Sequence, residues 1–439
     1  MTASPYSSAI DSSVLEGMLG APPRLSSFAE LVSRLEGRHP SEILSELEVR
    51  PASNDDIGTI TAEMIRDARE RAPGARLPQG EGLALPHPLD AEWRFTEAVA
   101  EMLLHLAVSE TRDRDPILLM GVPSVVLAAA RSCFDRQFWT LGEPNVITET
   151  LNISTREDRR FLQGTPNASS VAAAILDPPW YVNQYSSMLG EAAGYCRPGA
   201  CILISSPPGG ARPNIASDLK QIRRAAATAG LRVLTEEKGA LRYRTPFFEM
   251  AAMRAAGVGA WLPDWRAGDL LHYVRTRPAV VGPSTPVPTA FELTLAGIRL
   301  RLLPRPSGAG MRLIPIWTGE VFPSVSARAP RRSDANLWTS GNRAFAIDPT
   351  IALIAMATIA SDQGLWPKRL NPQKRMAANF RQIDATRQVI YELTELAKRE
   401  FTEAESLVGA ESWGSSVHDA RFLSGSWDAF HASPLGIDE

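Results

Sequence analysis

The chain has 439 residues, a formal net charge of −3 at pH 7, 44% hydrophobic residues and 22% charged residues. These values exclude a fibrous or wholly disordered chain, and they lack the basic surplus that is usual in a dedicated duplex-binding protein. The length suggests about two or three domains.

The first part of the chain, residues 1–110, is predicted to be a helical N-terminal region with a linker. Ser27 is placed to cap one helix and Pro40 to open the next, and a third helix is predicted across residues 57–71. The stretch from 73 to 88 is rich in Pro and Gly and is predicted to be the linker. Plain helical packing and a helix-turn-helix both remain open for the first two helices.

The central part, residues 111–280, alternates short apolar runs with helical segments, which is the order of a parallel sheet with crossover helices. The predicted strands are residues 117–120, 137–141, 172–176 and 200–205, and the predicted helices are residues 124–131, 184–193 and 215–229. An antiparallel hairpin of residues 231–236 and 240–244, turning at Gly239, is predicted to complete the sheet.

Four residues directly follow the buried strand at 172–176: Asp177, Pro178, Pro179 and Trp180. In an open α/β sheet this position faces the ligand crevice. The prolines lack N–H donors and stiffen the backbone. A carboxylate and backbone carbonyls beside an indole can therefore hold a planar amine by its NH₂ group while the ring stacks.

This motif resembles the D-P-P-W signature of S-adenosylmethionine-dependent methyltransferases that act on the adenine amino group. The sheet is likewise similar to that of class I methyltransferases. The fold class implied is α/β: a Rossmann-like class I methyltransferase sheet with a helical N-terminal region and an appended α+β C-terminal domain.

The resemblance implies S-adenosylmethionine as the cofactor. Gly121 and Pro123, in the turn after the first strand, and Asp177 would lie against it, and Glu143 would bind its ribose hydroxyls. The turn carries one glycine, whereas the typical fingerprint carries two or three.

The four residues of the D-P-P-W motif are the predicted catalytic residues. Asp177 would accept one hydrogen bond from the target amine and the Pro178 carbonyl would accept the second. The predicted substrate-binding residues are Tyr181, Tyr185, Ser206 and Pro207.

Two aromatic clusters flank this central region. Residues 87–95 include Trp93 and are predicted to be an interdomain packing corner or a lid. Residues 261–270 include Trp265 and Arg266. They are predicted to form a seam between domains or a surface that stacks a planar substrate.

The last part, residues 281–439, is predicted to be an α+β domain. It opens with a hairpin of residues 291–295 and 298–302 and later contains helices near 351–359 and 372–406. A basic cluster is a predicted phosphate-contacting patch, with a solvated helix face as the alternative. Its residues are Lys368, Arg369, Lys374 and Arg375.

The function these observations favour is methyl transfer to an amino group, with adenine in RNA or DNA as the acceptor. Two alternatives stay open: an aminopropyltransferase-like enzyme acting on a polyamine, and a catalytically degenerate scaffold subunit. The three cysteines lie in no C-x-x-C spacing and the longest apolar stretch is short. We therefore expect no metal site, no membrane association and a cytoplasmic location. No protein partner or oligomeric state is assigned.

Overall fold

A computed structural model describes most of the chain. The described residues are 12–20, 25–35, 37–50, 56–70, 85–90, 93–141, 158–162, 165–277, 290–295, 297–305, 310–326, 329–362, 380–408 and 419–423.

The first sheet contains eight strands. They are β1 (Arg94–Phe95), β2 (Ile117–Met120), β3 (Phe138–Leu141), β4 (Phe161–Leu162), β5 (Val171–Leu176), β6 (Cys196–Ser206), β7 (Leu231–Arg244) and β8 (Ala267–Arg275). Their order is β1-β7-β8-β6-β5-β2-β3-β4. Strands β2 to β6 are parallel to their neighbours within that group, and β8 runs antiparallel between β6 and β7. This topology confirms the predicted Rossmann-like class I methyltransferase sheet.

The described helices are α1 (Ser12–Gly20), α2 (Phe28–Arg34), α3 (Pro40–Val49), α4 (Asp56–Arg69), α5 (Glu97–Ser109), α6 (Pro123–Arg131), α7 (Val182–Tyr195), α8 (Ile215–Thr228), α9 (Phe247–Ala255), α10 (Pro349–Asp362) and α11 (Phe380–Val408). The capping prediction at α2 is confirmed, because Ser27 Oγ accepts a hydrogen bond from Glu30 N at 3.2 Å. Pro40 occupies the first turn of α3 as predicted. In the part of the chain that the structure describes, no helix is long and apolar enough to span a bilayer.

Both faces of the first sheet are covered. Every residue of β2 and β5 is buried, as expected for strands with helices on both sides. Leu103 on α5 belongs to the apolar cluster on one face, and Leu189 on α7 belongs to the cluster on the other. The central strands are thus fixed by packing on both sides, and this packing holds the carboxyl ends of β2 and β5 next to each other.

The predicted hairpin at Gly239 is wrong. Strand β7 continues through this glycine, and the antiparallel partner is β8, which the sequence analysis left unassigned. Gly239 has φ +61° and lies where the pairing of β7 with β8 shifts register. Its N–H donates to Asp269 Oδ1 at 2.9 Å. The positive φ therefore serves a bulge tied to Asp269, which the sequence alone does not distinguish from a turn.

The second sheet is antiparallel and lies in the C-terminal part. Its strands are β9 (Ala290–Leu295), β10 (Ile298–Leu302), β11 (Ile314–Pro315), β12 (Leu337–Thr339), β13 (Ala344–Ala346) and β14 (Asp419–Leu423), in the order β11-β13-β12-β10-β9-β14. The predicted hairpin is confirmed, with Ile298 opposite Leu295. One apolar cluster joins this sheet to other regions, because it contains Leu293 together with Phe28 of α2 and Met253 of α9.

Candidate active site

The D-P-P-W motif lies at the carboxyl edge of the first sheet, between two neighbouring strands. Leu176, the last residue of β5, is paired with Met120 of β2 on one side and Ile204 of β6 on the other. Asp177 N donates a hydrogen bond to Met120 O at 3.1 Å. The turn after β2 and the motif therefore meet at the point where a parallel sheet presents its ligand crevice.

The Asp177 carboxyl group is held by two hydroxyls. Tyr243 Oη donates to Asp177 Oδ1 at 2.8 Å, and Ser205 Oγ donates to the same oxygen. Within the described ranges, no hydrogen bond reaches Asp177 Oδ2. One carboxyl oxygen is thus fixed by the protein, and the other remains available to a hydrogen-bond donor on a substrate.

Burial raises the pKa of the Asp177 carboxyl from its ordinary value of 3.8 to about 7. The hydrogen bonds from Ser205 and Tyr243 and the positive charge of Arg266 act in the opposite direction and only partly compensate. A carboxyl group that changes charge near neutral pH in a crevice is typical of a functional site.

The prolines shape the backbone after Asp177. Tyr181 N donates to Pro179 O at 2.6 Å, so this carbonyl closes a tight turn. No backbone donor in the described part of the chain bonds Pro178 O, and Pro178 itself is buried. Trp180 then packs edge-on against Tyr243, with ring centroids 6.0 Å apart.

Gly121 forms the turn after β2 that was predicted to lie against a cofactor. It is exposed and has φ +68°, and a Cβ atom at this position would lie 2.9 Å from Asp177 O. The backbones of the two loops therefore touch. Pro123 follows as the first residue of α6. An open glycine beside Asp177 fits a ligand that approaches the backbone closely.

The predicted substrate-binding residues occupy different places. Tyr181 is partly buried beside the motif, whereas Tyr185 is fully buried and donates from its hydroxyl to Ser205 O at 2.8 Å. Ser206 and Pro207 are buried as well. Tyr185 thus supports the strand that carries Ser205 and does not line the open crevice.

Tyr243 is a site residue that the sequence analysis missed, whereas Ser205 begins the run of residues 205–210 that the sequence predicts to be a second wall of the crevice. The contact of Ser205 with Asp177 follows from the strand register, because parallel pairing of Leu176 with Ile204 places the next residues, Asp177 and Ser205, side by side. No local signal in the sequence identifies Tyr243. Its position depends on the pairing of β7 with β8, whereas the sequence predicted that residues 231–244 fold back on themselves as a hairpin.

A guanidinium group also faces this site. The Arg266 Cζ lies 4.0 Å from the Trp180 ring centroid and 4.2 Å from the Trp93 ring centroid. Trp265 instead packs edge-on against His39 of the N-terminal region, with centroids 5.4 Å apart. The 261–270 cluster therefore contributes Trp265 to a packing seam and Arg266 to the neighbourhood of Asp177. Trp93, from the 87–95 cluster, contacts both Trp265 in the seam and Arg266 near Asp177.

Five predicted site residues lie outside the described residues, so the structure does not place them. They are Glu143, Lys368, Arg369, Lys374 and Arg375.

Comparisons with known proteins give similarities of structure only. No protein-family model and no curated protein sequence matches the chain. A branched-chain polyamine synthase from Thermus thermophilus is 15% identical, covering 58% of this chain and 90% of that chain, with a TM-score of 0.39. A geranyl diphosphate methyltransferase in complex with SAM is 15% identical, covering 46% and 100%, with a TM-score of 0.30. The geranyl diphosphate C-methyltransferase from Streptomyces coelicolor is 14% identical, covering 41% and 79%, with a TM-score of 0.28. At these values the similarities assign no cofactor and no substrate to this chain.

Proposed function

We propose that the protein is an S-adenosylmethionine-dependent methyltransferase that acts on an amino group, with adenine in nucleic acid as the acceptor. One observation carries the proposal. Asp177, at the carboxyl edge of the sheet, has one carboxyl oxygen held by Ser205 and Tyr243, while the other accepts no hydrogen bond from the described residues.

In this proposal the site works mainly by orientation. Asp177 Oδ2 accepts one N–H of the target amine and Pro178 O accepts the other, which fixes the direction of the nitrogen lone pair. Holding reactants in such a geometry can lower a barrier by about 7 to 11 kcal/mol. The same Asp177 oxygen is placed to receive the proton that the amine loses.

The cofactor would lie against Gly121 and Pro123, next to Asp177, and Glu143 remains the proposed ribose ligand. S-adenosylmethionine, when bound, supplies an electrophilic methyl group. The exposed backbone at Gly121 supports this placement, because a glycine lets a ligand approach the main chain closely.

The nucleic-acid part of the proposal also uses the basic cluster. Lys368, Arg369, Lys374 and Arg375 are proposed to contact phosphates, which steer and position a nucleic acid without reading its bases. A polyamine acceptor is less favoured, because Arg266 places a positive charge beside Asp177 where a polycation would have to bind.

Substitution of Asp177 tests the proposal. We expect Asp177→Ala to slow methyl transfer more than Asp177→Asn, because Asn keeps an acceptor oxygen. Loss of one charge-assisted hydrogen bond corresponds to about a tenfold to hundredfold slower reaction. Turnover is measured on adenine-containing RNA, DNA and nucleoside with a labelled methyl donor, and cofactor affinity by calorimetry. The affinity is expected to change less than the rate.

The matched control is Asp135→Ala, since Asp135 is an exposed aspartate on the same domain. It is expected to leave turnover unchanged. Wild-type activity that persists in a folded Asp177→Ala variant would show that the D-P-P-W loop is structural. A folded wild-type protein that binds no S-adenosylmethionine at millimolar concentration would support the scaffold alternative.

A further inference from the structure

Arg266 stands between two indole rings at the edge of the proposed site. Its guanidinium carbon is 4.2 Å from the Trp93 centroid and 4.0 Å from the Trp180 centroid. Both distances lie well within the range of a cation–π contact, and such contacts are strongest when they are desolvated. The two rings therefore hold the guanidinium group at this position by contacts on their faces.

The edge of this guanidinium is uncommitted. Across the residues that the structure describes, the Arg266 side chain makes no hydrogen bond and no ion pair, although its backbone carbonyl accepts from Tyr243 N at 3.0 Å. Burial lowers the pKa of the Arg266 guanidinium, and the negative charge of the buried Glu249 carboxylate opposes this shift without forming an ion pair with Arg266 among the described residues. An arginine has five N–H donors in a fixed plane.

Arg266 and Asp177 lie around the same two aromatic residues, Trp180 and Tyr243. The Arg266 Cζ lies 4.0 Å from the Trp180 ring centroid, and Trp180 packs edge-on against Tyr243 with centroids 6.0 Å apart. Tyr243 links Arg266 to Asp177 structurally, because its hydroxyl donates to Asp177 and its backbone N–H to the Arg266 carbonyl. The site thus presents a carboxyl acceptor and a guanidinium donor around the same two aromatic rings.

We propose that Arg266 is a specificity-determining residue that donates a hydrogen bond to a ring nitrogen of the methyl acceptor while Asp177 accepts from the amino group. The pair then reads an amino group with an accepting ring nitrogen beside it, as adenine presents at N6 with N1 or N7. This inference rests on the proposed function and specifies the substrate class of the same site.

A site with Arg266 as donor and Asp177 as acceptor discriminates between aromatic amines and alkyl amines. A polyamine has only donors and positive charges, so it has no acceptor for Arg266 and is repelled by its charge. The space between the two indoles, where an ammonium group is favourably bound, is already filled by the guanidinium. A heteroaromatic amine satisfies both protein groups, and leaving either group without a partner lowers affinity.

The test compares adenosine with 1-deazaadenosine and 7-deazaadenosine, in which one ring nitrogen is replaced by C–H. Affinities are measured by calorimetry for protein saturated with S-adenosylhomocysteine, and the same analogues placed in a short oligonucleotide extend the series. We expect one of the two analogues to bind wild type about tenfold to hundredfold more weakly than adenosine. Arg266→Gln is expected to bind adenosine and that analogue equally.

Arg242→Gln is the matched control, because Arg242 lies on neighbouring β7 and directs its guanidinium to Asp264 O at 3.3 Å. It is expected to keep the wild-type discrimination. In wild type, spermidine is expected to bind no more tightly than adenosine. In Arg266→Gln, spermidine is expected to bind at least as tightly as it binds wild type. Thermal unfolding checks the fold of each variant, and the analogue comparison in wild type stands even if Arg266→Gln does not fold.

Equal binding of adenosine and both analogues by wild type would overturn the proposal, as would full discrimination by folded Arg266→Gln. If no adenine-containing probe binds, or if spermidine binds most tightly, the assigned substrate class is wrong. Failure of the proposed function is recognised separately, by methyl transfer that survives Asp177→Ala or by the absence of cofactor binding.

Discussion

Asp177 is electrostatically unfavourable in the folded protein. Burial raises its carboxyl pKa from 3.8 to about 7, so the native state binds a proton more tightly than the unfolded chain does. The contribution of this group to the free energy of unfolding therefore falls as the pH rises from about 4 to about 7. Such a loss of stability at a buried carboxyl group fits a role in chemistry, since active sites often sacrifice stability.

The pH profile of methyl transfer tests the state of this residue. If the carboxylate is the form that accepts the amine N–H, the rate rises as the pH passes through about 7. Tyr243 lowers the Asp177 pKa through its hydrogen bond. Tyr243→Phe is therefore expected to move the midpoint to higher pH, by about one to two pH units.

Tyr185→Phe is the control for this profile. It also removes a buried tyrosine hydroxyl, from the apolar cluster on the other face of the sheet, and that hydroxyl donates to Ser205 O and not to Asp177. Its midpoint is expected to equal that of wild type. A Tyr243→Phe profile that matches wild type would mean that a group other than Asp177 controls the rate.

At the scale of elements, apolar runs predicted the parallel core well. Strands β2 and β5 are continuous buried runs, and the flanking helices carry clear start and stop signals such as Pro123 and Gly230. The pairing of β7 was not predictable in the same way, because Gly239 suits a turn and a bulge equally. The candidate site shares this division: Asp177 follows from a local motif, whereas Tyr243 and Arg266 reach it through long-range strand pairing.

The contact between the turn after β2 and the D-P-P-W loop gives a testable constraint. In Gly121→Ala the new Cβ would meet Asp177 O at 2.9 Å, and φ is +68°. Gly199 is a control, because it has φ +82° and a Cβ atom added there would have nothing within 4 Å. Each variant is expected to lose about 1 to 2 kcal/mol of stability from the left-handed backbone.

Only Gly121→Ala is expected to reduce activity as well, because relieving its contact displaces the Asp177 backbone. Urea unfolding gives the stabilities, and turnover with cofactor affinity gives the functional effect. Equal activity in the two variants would show that the loop contact does not position Asp177.

At the scale of the whole molecule, buried charges connect parts that are far apart in sequence. Arg299 and Arg301 on β10 both bond Glu292 on β9, and both also bond Asp90. Asp90 precedes β1 of the first sheet, so this cluster ties the segment before the first sheet to the second sheet. Alternation along β9 and β10 predicted a hairpin, but nothing local indicated that its charged face would also be buried and would pair with Asp90, about 200 positions away.

Asp90→Asn measures how much this connection stabilises the protein. Burial opposes ionisation of Asp90, but Arg301 and Arg299 hold its pKa well below the ordinary value. The ionised carboxylate therefore stabilises the fold above pH 4, and this contribution is lost as the pH falls through the lowered pKa. Removing one member of a buried pair costs about 3 to 5 kcal/mol, and Glu292 keeps part of the compensation here, so we expect about 2 to 3 kcal/mol at pH 7.

Glu97→Gln is the control, because Glu97 pairs with Arg131 where both side chains are at least half exposed. It is expected to change stability by less than about 0.5 kcal/mol. Urea unfolding at pH 7 compares the two variants with wild type, and a second series at lower pH is expected to narrow the difference between Asp90→Asn and wild type. Equal stability of Asp90→Asn and Glu97→Gln at pH 7 would mean that apolar packing, not the charge cluster, holds residues 85–90 against the second sheet.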